Sequence, residues 1–175
     1  HGCEDRFAGI RRAIPRGPGT FLDVGANLGW FCHRFEELGY DCVAVELLPQ
    51  VALAAERIRD AERRRFAVVQ GDLFAVSAEP PLRGRHFDLV LALSIFHHFI
   101  KRTDMHAKLE RWLGELDADA MLFEPHRPEE PQMADAYRNY DERQFVDFIL
   151  RSSCLNRAEL LYRCNDGRPI YLLRR

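Results

Sequence analysis

Between Thr20 and Glu46 the chain runs through an apolar stretch, a glycine turn, a helical stretch and a second apolar stretch that stops at an acidic residue. Few architectures accommodate that order. The first apolar stretch ends in Asp23-Val24-Gly25-Ala26-Asn27-Leu28-Gly29, and the second, Cys42 to Val45, ends in Glu46. Two parallel strands joined by a crossover helix fit this pattern. The glycines let backbone come close to a ligand at the strand-to-helix turn, and the acid at the next strand's end can take two ribose hydroxyls. The stretch describes a pocket for a nucleoside-bearing ligand.

The rest of the chain keeps alternating strand and helix. Pro49 can open a helix at its first turn, with Val51, Leu53, Ala54, Ala55 and Ile58 on its apolar side. Phe66 to Val69 reads as a third strand, and Phe87 to Leu93 as a fourth, apolar enough to be covered on both faces. Leu109, Trp112, Leu113 and Leu116 mark a helix, Ala120 to Phe123 a fifth strand, and Glu142 to Arg151 a further helix. Arg157 to Cys164 and Pro169 to Leu173 then flank the turn Asn165-Asp166-Gly167 as a hairpin. Right-handed crossovers give an α/β fold: a doubly wound sheet, mostly parallel, with an antiparallel strand from the C-terminal hairpin. A chain of 175 residues with 47% hydrophobic composition suits one domain, residues 20–175 forming the core and 1–19 an N-terminal extension or lid.

In such a sheet, ligands bind beyond the carboxyl ends of the strands. Asp23, Glu46, Asp72, Ser94 and Glu124 follow or end the five strands in turn. The glycine spacing distinguishes among nucleoside ligands. A dinucleotide fingerprint, Gly-x-Gly-x-x-Gly, seats a pyrophosphate on a helix N-terminus. Here Asp23 precedes the first glycine, three residues separate Gly25 from Gly29, and Ala26 or Asn27 stands where the close-approach glycine belongs. A carboxylate there repels pyrophosphate and suits an ammonium and a sulfonium.

This stretch resembles motif I of the class I, Rossmann-like S-adenosylmethionine-dependent methyltransferases, and the element order extends the resemblance over roughly Thr20 to Arg174. The resemblance implies S-adenosylmethionine as cofactor. By it, Gly25, Asn27 and Gly29 line the methionine portion, Asp23 holds its amino group and Glu46 grips the ribose diol. Leu47 packs on the adenine face, Asp72 accepts from the adenine amino group, and Leu73 offers its backbone N–H. Leu93 and Ser94 border the methionine end. A nicotinamide-dependent oxidoreductase of Rossmann type shares the fold plan and the acidic ribose contact, and a non-catalytic cofactor-binding domain of a larger protein would keep the same residues.

Leu93-Ser94-Ile95-Phe96-His97-His98-Phe99 resembles the Leu-x-x-Leu-His-His stretch of many small-molecule methyltransferases of this class. Methyl transfer needs alignment and no covalent enzyme intermediate, but an oxygen or nitrogen acceptor must lose a proton. A histidine titrating near neutrality can take it, which makes His97 and His98 candidate bases. Adjacent helical positions do not share a face, so the pair predicts no metal site. The polar segment Glu124 to Asp141 lies where this family builds its acceptor pocket. Glu124 and His126 could orient or deprotonate the acceptor there, and Arg127, Arg138 or Arg143 could bind an anionic group. No Asn-Pro-Pro-Tyr or Asp-Pro-Pro-Tyr follows the fourth strand, which disfavours amino-group methylation of adenine, cytosine or glutamine. Gly167-Arg168-Pro169-Ile170-Tyr171 is similar to endings of methyltransferase domains acting on sugars or phosphate termini of glycans. The expected acceptor is a small molecule, sugar or phosphate group, the expected chemistry O-methylation. A partner domain in a longer chain could help to hold it.

Charge and cysteine usage exclude other classes. With 25 Lys+Arg against 27 Asp+Glu, the net charge of -2 does not favour long nucleic acid. The arginines at 57, 59, 63, 64 and 65 read as a solvated helix face. No stretch approaches the roughly 20 apolar residues of a membrane span. Five cysteines without a Cys-x-x-Cys pair predict reduced thiols and a cytoplasmic protein.

Overall fold

Successive apolar residues of the inner strands face opposite layers, and this alternation builds the two halves of the core. In the computed structural model, which describes residues 2–14 and 17–175, the strands form one seven-stranded sheet. Of the leading segment 1–19, His1, Pro15 and Arg16 lie outside the described residues. Helix α1 (Cys3–Arg11) is followed by β1 (Gly19–Val24), α2 (Trp30–Glu37), β2 (Tyr40–Glu46), α3 (Pro49–Ala61) and β3 (Ala67–Gln70). The single-turn α4 (Leu73–Val76), β4 (Leu89–Leu93), α5 (Thr103–Glu115) and β5 (Ala120–Glu124) come next, then α6 (Glu142–Ser152), β6 (Arg157–Arg163) and β7 (Pro169–Arg174).

Strand order is β3-β2-β1-β4-β5-β7-β6. The first five strands are parallel, and β7 runs antiparallel to both β5 and β6. The order reverses between β1 and β4, which opens the crevice where an α/β sheet takes its ligand. Leu22, Val43 and Met121 point into the layer with Phe96, Leu109, Leu113 and Phe145. Their neighbours Phe21, Ala44 and Leu122 point into the other, with Ile10, Phe35 and Phe66. Phe21 stacks on Phe35 with ring centroids 4.0 Å apart, and each such buried ring contributes roughly 2 to 3 kcal/mol.

Local sequence explains the element boundaries. Pro49 occupies the first turn of α3, and α6 begins with a capping box in which Asp141 accepts from Gln144 N at 2.8 Å while Gln144 Oε1 accepts from Asp141 N. Three elements were not expected. Helix α1 occupies the segment read as an extension or lid, because Phe7 and Ile10 find apolar partners in α2 and the sheet. Asp72 caps α4, and His97 and His98 lie on a short 3-10 turn, Phe96–His98. The fourth strand starts at Leu89, since Phe87 makes only an isolated bridge to Ala118. In the arginine cluster, Arg59 pairs with Asp60 and Arg64 pairs with Glu37.

Candidate functional site

The loop after β1 winds through three residues with positive φ, Gly25 at 73°, Asn27 at 53° and Gly29 at 75°. At Gly25 a side chain is excluded on a second ground, because a Cβ would stand 2.7 Å from Ile95 Cδ1. The loop is tied to the next strand through Gly25 N and Ala26 N, which donate to Val45 O at 3.0 and 2.9 Å. Glu46 ends that strand, buried, and accepts from Asn27 N on Oε2 and from Leu48 N on Oε1, both at 2.9 Å. Backbone thus aims the carboxylate across the loop, and each oxygen retains a lone pair for a ligand hydroxyl.

Asp23 is 3% exposed, and the Cys32 thiol lies 4.0 Å from its Oδ2. Burial, and then the charge of Glu46, push its carboxyl up to about 7. Among the described residues, neither Asp23 nor Glu46 has an ion pair with a basic side chain. Two buried acids without a countercharge make a cradle that fits a cationic ligand, and the cofactor expected here carries an ammonium and a sulfonium. Leu28, Leu47 and Leu48 leave 44, 58 and 48% of their surface exposed around Glu46. An aromatic base covering such side chains removes apolar surface from water. Gly71 N donates to Glu46 O at 2.9 Å, bringing Asp72 beside this shelf. Asp72 takes Phe74 N and Ala75 N on one oxygen, Oδ1, at 2.9 and 3.2 Å, and Leu73 is buried behind it.

Across the crevice the carboxylate is already satisfied. Glu124, the last residue of β5, is 1% exposed, and Arg6 of α1 grips it in a fork, Nε to Oε2 at 2.6 Å and Nη2 to Oε1 at 3.1 Å. Ser94 Oγ donates to Glu124 Oε1, Ser94 N donates to Glu124 O at 3.1 Å, and the Cys164 thiol reaches Oε2 at 3.8 Å. Arg168 approaches Ser94 Oγ with Nη1 at 3.4 Å and pairs with Glu130 through Nη2. Glu124 is therefore an ionic anchor with both oxygens committed, and the arginine that holds it carries no sequence signal.

His97 is buried and His98 exposed, with ring centroids 4.0 Å apart. Burial and the nearby His98, Lys101 and His126 depress His97 to about 4, so its ring is neutral at pH 7. Burial and Lys101 lower His98 as well. The buried His126 lies 6.1 Å from His97 between ring centroids, and its Nε2 is 2.9 Å from Asn139 Oδ1. Asn139 Nδ2 donates to Pro128 O at 2.9 Å, which orients Oδ1 toward the ring and places the imidazole proton on Nε2. The Nδ1 atoms of His97 and His126 are buried and have no hydrogen-bond partner among the described residues. Arg127 donates to Asp166 O and Arg138 lies 4.7 Å over the Tyr137 ring, while Arg143 is exposed on α6. At the other end of the strands, exposed His86, Asp88 and Asp119 offer ligand atoms within 4.8 Å of one another, but Asp88 already accepts from Thr20 and His86 contacts Asp117 and Asp119.

A methyltransferase domain family matches residues 22–122. Among curated proteins no sequence matches. Solved structures share the fold. WbdD superimposes with a TM-score of 0.73 at 20% identity, over 98% of this chain and 38% of WbdD, so this chain spans well under half of that protein. One WbdD structure is described as a bifunctional kinase-methyltransferase. The PH0226 protein from Pyrococcus horikoshii OT3 gives a TM-score of 0.66 at 13% identity, over 98% of this chain and 90% of its own. An O-methyltransferase candidate from Nostoc punctiforme gives 0.69 at 16%, over 98% and 57%.

Proposed function

Because this chain belongs to the methyltransferase domain family, of the class I kind whose cofactor is S-adenosylmethionine, we propose that it methylates an oxygen of a small molecule, a sugar or a phosphate group. The observation that carries the reading is the pair of buried acids, Asp23 and Glu46, facing one crevice without a basic partner among the described residues. When bound, S-adenosylmethionine supplies a methyl carbon activated by its sulfonium. Asp23 takes the amino group and Glu46 the ribose hydroxyls. Gly25, Asn27 and Gly29 keep the loop close to the methionine portion, with Leu93 and Ser94 at its far end. Leu47 covers the adenine, Asp72 accepts from its amino group on the oxygen not used for capping, and Leu73 offers its N–H.

The chain's catalytic work is alignment and removal of one proton. Glu124 is engaged by Arg6, so that proton falls to a histidine. His97, His98 and His126 are the candidates: His97 is unprotonated at pH 7 but burial makes it a weaker base than a free imidazole, and His126 Nδ1 carries a lone pair with no partner among the described residues. The larger size of WbdD supports a partner domain that completes the acceptor site. Free thiols at all five cysteines support a reducing, cytoplasmic setting, and no helix among the described residues is long and apolar enough to cross a membrane.

Calorimetry with S-adenosylhomocysteine and with NADH tests the cofactor. Affinity for NADH alone would sink the proposal. A screen of oxygen acceptors for S-adenosylhomocysteine release, repeated on His97, His98 and His126 variants, tests the chemistry. Turnover that survives in all three variants would remove the histidine base.

A further inference from the structure

We propose that Arg6 is a positioning residue of the cofactor site: through Glu124 it holds Ser94 at the end of β4 in the conformation that meets the ligand. The inference rests on the reading that Ser94 borders the cofactor. Its evidence is the way α1 is fastened. Asp5 accepts from the Tyr162 hydroxyl at 2.6 Å and from Asn165 N at 2.7 Å, binding α1 to β6 and the hairpin turn. Gly9 lets the helix lie flat on β6, since a Cβ there would sit 2.4 Å from Tyr162 Cγ. On its other side Phe7 meets Trp30 and Phe35 edge to face, with centroids 5.7 and 5.9 Å apart, and Trp30 directly follows Gly29 of the cofactor loop. Arg6 also reaches Asp166 Oδ2 at 3.0 Å. The helix is thus seated between the cofactor loop and the acceptor half.

Ser94 needs this support. Its φ of 50° is one that a side-chain-bearing residue keeps only when its surroundings impose it. Glu124 imposes it twice, by accepting Ser94 N on its carbonyl and Ser94 Oγ on its carboxylate. An ionised carboxylate only accepts, so the Ser94 hydroxyl proton is committed to Glu124, while its oxygen accepts from Arg168 Nη1 at 3.4 Å and keeps one further lone pair. That arrangement depends on Glu124 staying charged with no exposed side-chain surface, and the Arg6 guanidinium provides the countercharge. Without it, the buried carboxylate loses both arms of the fork that fixes its orientation, and with them the fixed acceptor for the Ser94 hydroxyl.

The test is S-adenosylhomocysteine calorimetry on the full chain and on Arg6→Met, Ser94→Ala, the double variant and Arg6→Lys, each checked by circular dichroism. Arg6→Met is expected to weaken binding about tenfold, the loss of roughly one charge-assisted hydrogen bond, and Ser94→Ala to weaken it by several fold. The double variant should bind no more weakly than Arg6→Met alone, because both changes act through one group. Arg6→Lys, which keeps the charge but not the fork, should recover part of the loss. Additive losses, or unchanged affinity in folded Arg6→Met, would overturn the proposal. If Arg6→Met does not fold, Arg6→Lys with and without Ser94→Ala gives the same comparison. Failure of the unmodified chain to bind S-adenosylhomocysteine would instead overturn the proposed function on which this inference rests.

Discussion

The two sides of the crevice treat buried acids in opposite ways. On the β1–β2 side, Asp23 and Glu46 are oriented by backbone amides and a thiol, and burial drives Asp23 up to about 7. On the β4–β5 side, buried Glu124 and half-buried Glu130 are each held by an arginine from elsewhere in the chain, Arg6 and Arg168. The first side keeps unbalanced negative charge, and the second balances its own. A site wanting a cation from outside is built like the first. A site that must be rigid whatever occupies it is built like the second.

Substitutions should separate the two. Gly25→Val is expected to have the largest effect, since the new side chain must take a φ of 73° and collide with Ile95. Calorimetry should find S-adenosylhomocysteine affinity lowered by at least about a hundredfold, the equivalent of ~3 kcal/mol of strain and overlap. Retained affinity would mean that the cofactor does not lie over this loop. Glu46→Ala should cost about 2 kcal/mol, roughly thirtyfold, because two charge-assisted ribose bonds are lost.

Next in size is a pH effect carried by Asp23. Its ionised fraction rises through pH 7, so affinity for the ammonium-bearing S-adenosylhomocysteine should climb between pH 6 and 8, and Asp23→Asn should bind less tightly with a flatter profile. Stability without ligand moves the other way. The folded-state value lies above the unfolded one, so the contribution is complete below about pH 4 and is lost as pH rises through about 7. Thermal melts from pH 5 to 8 should therefore fall more steeply for the native chain than for Asp23→Asn. A matching slope in both would place the titration elsewhere. The smallest effect belongs to the acceptor half. His97→Gln should leave S-adenosylhomocysteine affinity within about twofold while slowing methyl transfer, and a large loss of affinity would erase the distinction between the two sides.

The same contrast governs what could be read from residues alone. The strands were legible because doubly covered parallel strands are almost unbroken apolar runs, and Leu89 to Leu93 or Ala120 to Phe123 admit few other interpretations. The β1–β2 side was legible as a backbone feature because its glycines and Glu46 are tied together through nearby backbone over a few tens of residues. Helix α1 was not, since it has only Phe7 and Ile10 to mark an apolar face and its decisive partners are tertiary. Arg6 and Glu124 are 118 positions apart, and no local pattern distinguishes this arginine from the many others. The histidine pair was visible as a pair, but which ring turns inward depends on the 3-10 turn that carries it. Likewise Asn139 acquires its role only once the polar segment folds back and sets the proton of His126.

The fastening of α1 also has a kinetic side. Its polar partners, Glu124, Tyr162, Asn165 and Asp166, all lie more than a hundred residues further along the chain, and three of them belong to the hairpin strand β6 and the turn after it. Contacts of such sequence separation close the largest loops and form late. During folding, the polar fastening of α1 can close only after β5 and the hairpin have paired, so the Ser94 end of the crevice should be among the last parts of the molecule to acquire its final shape.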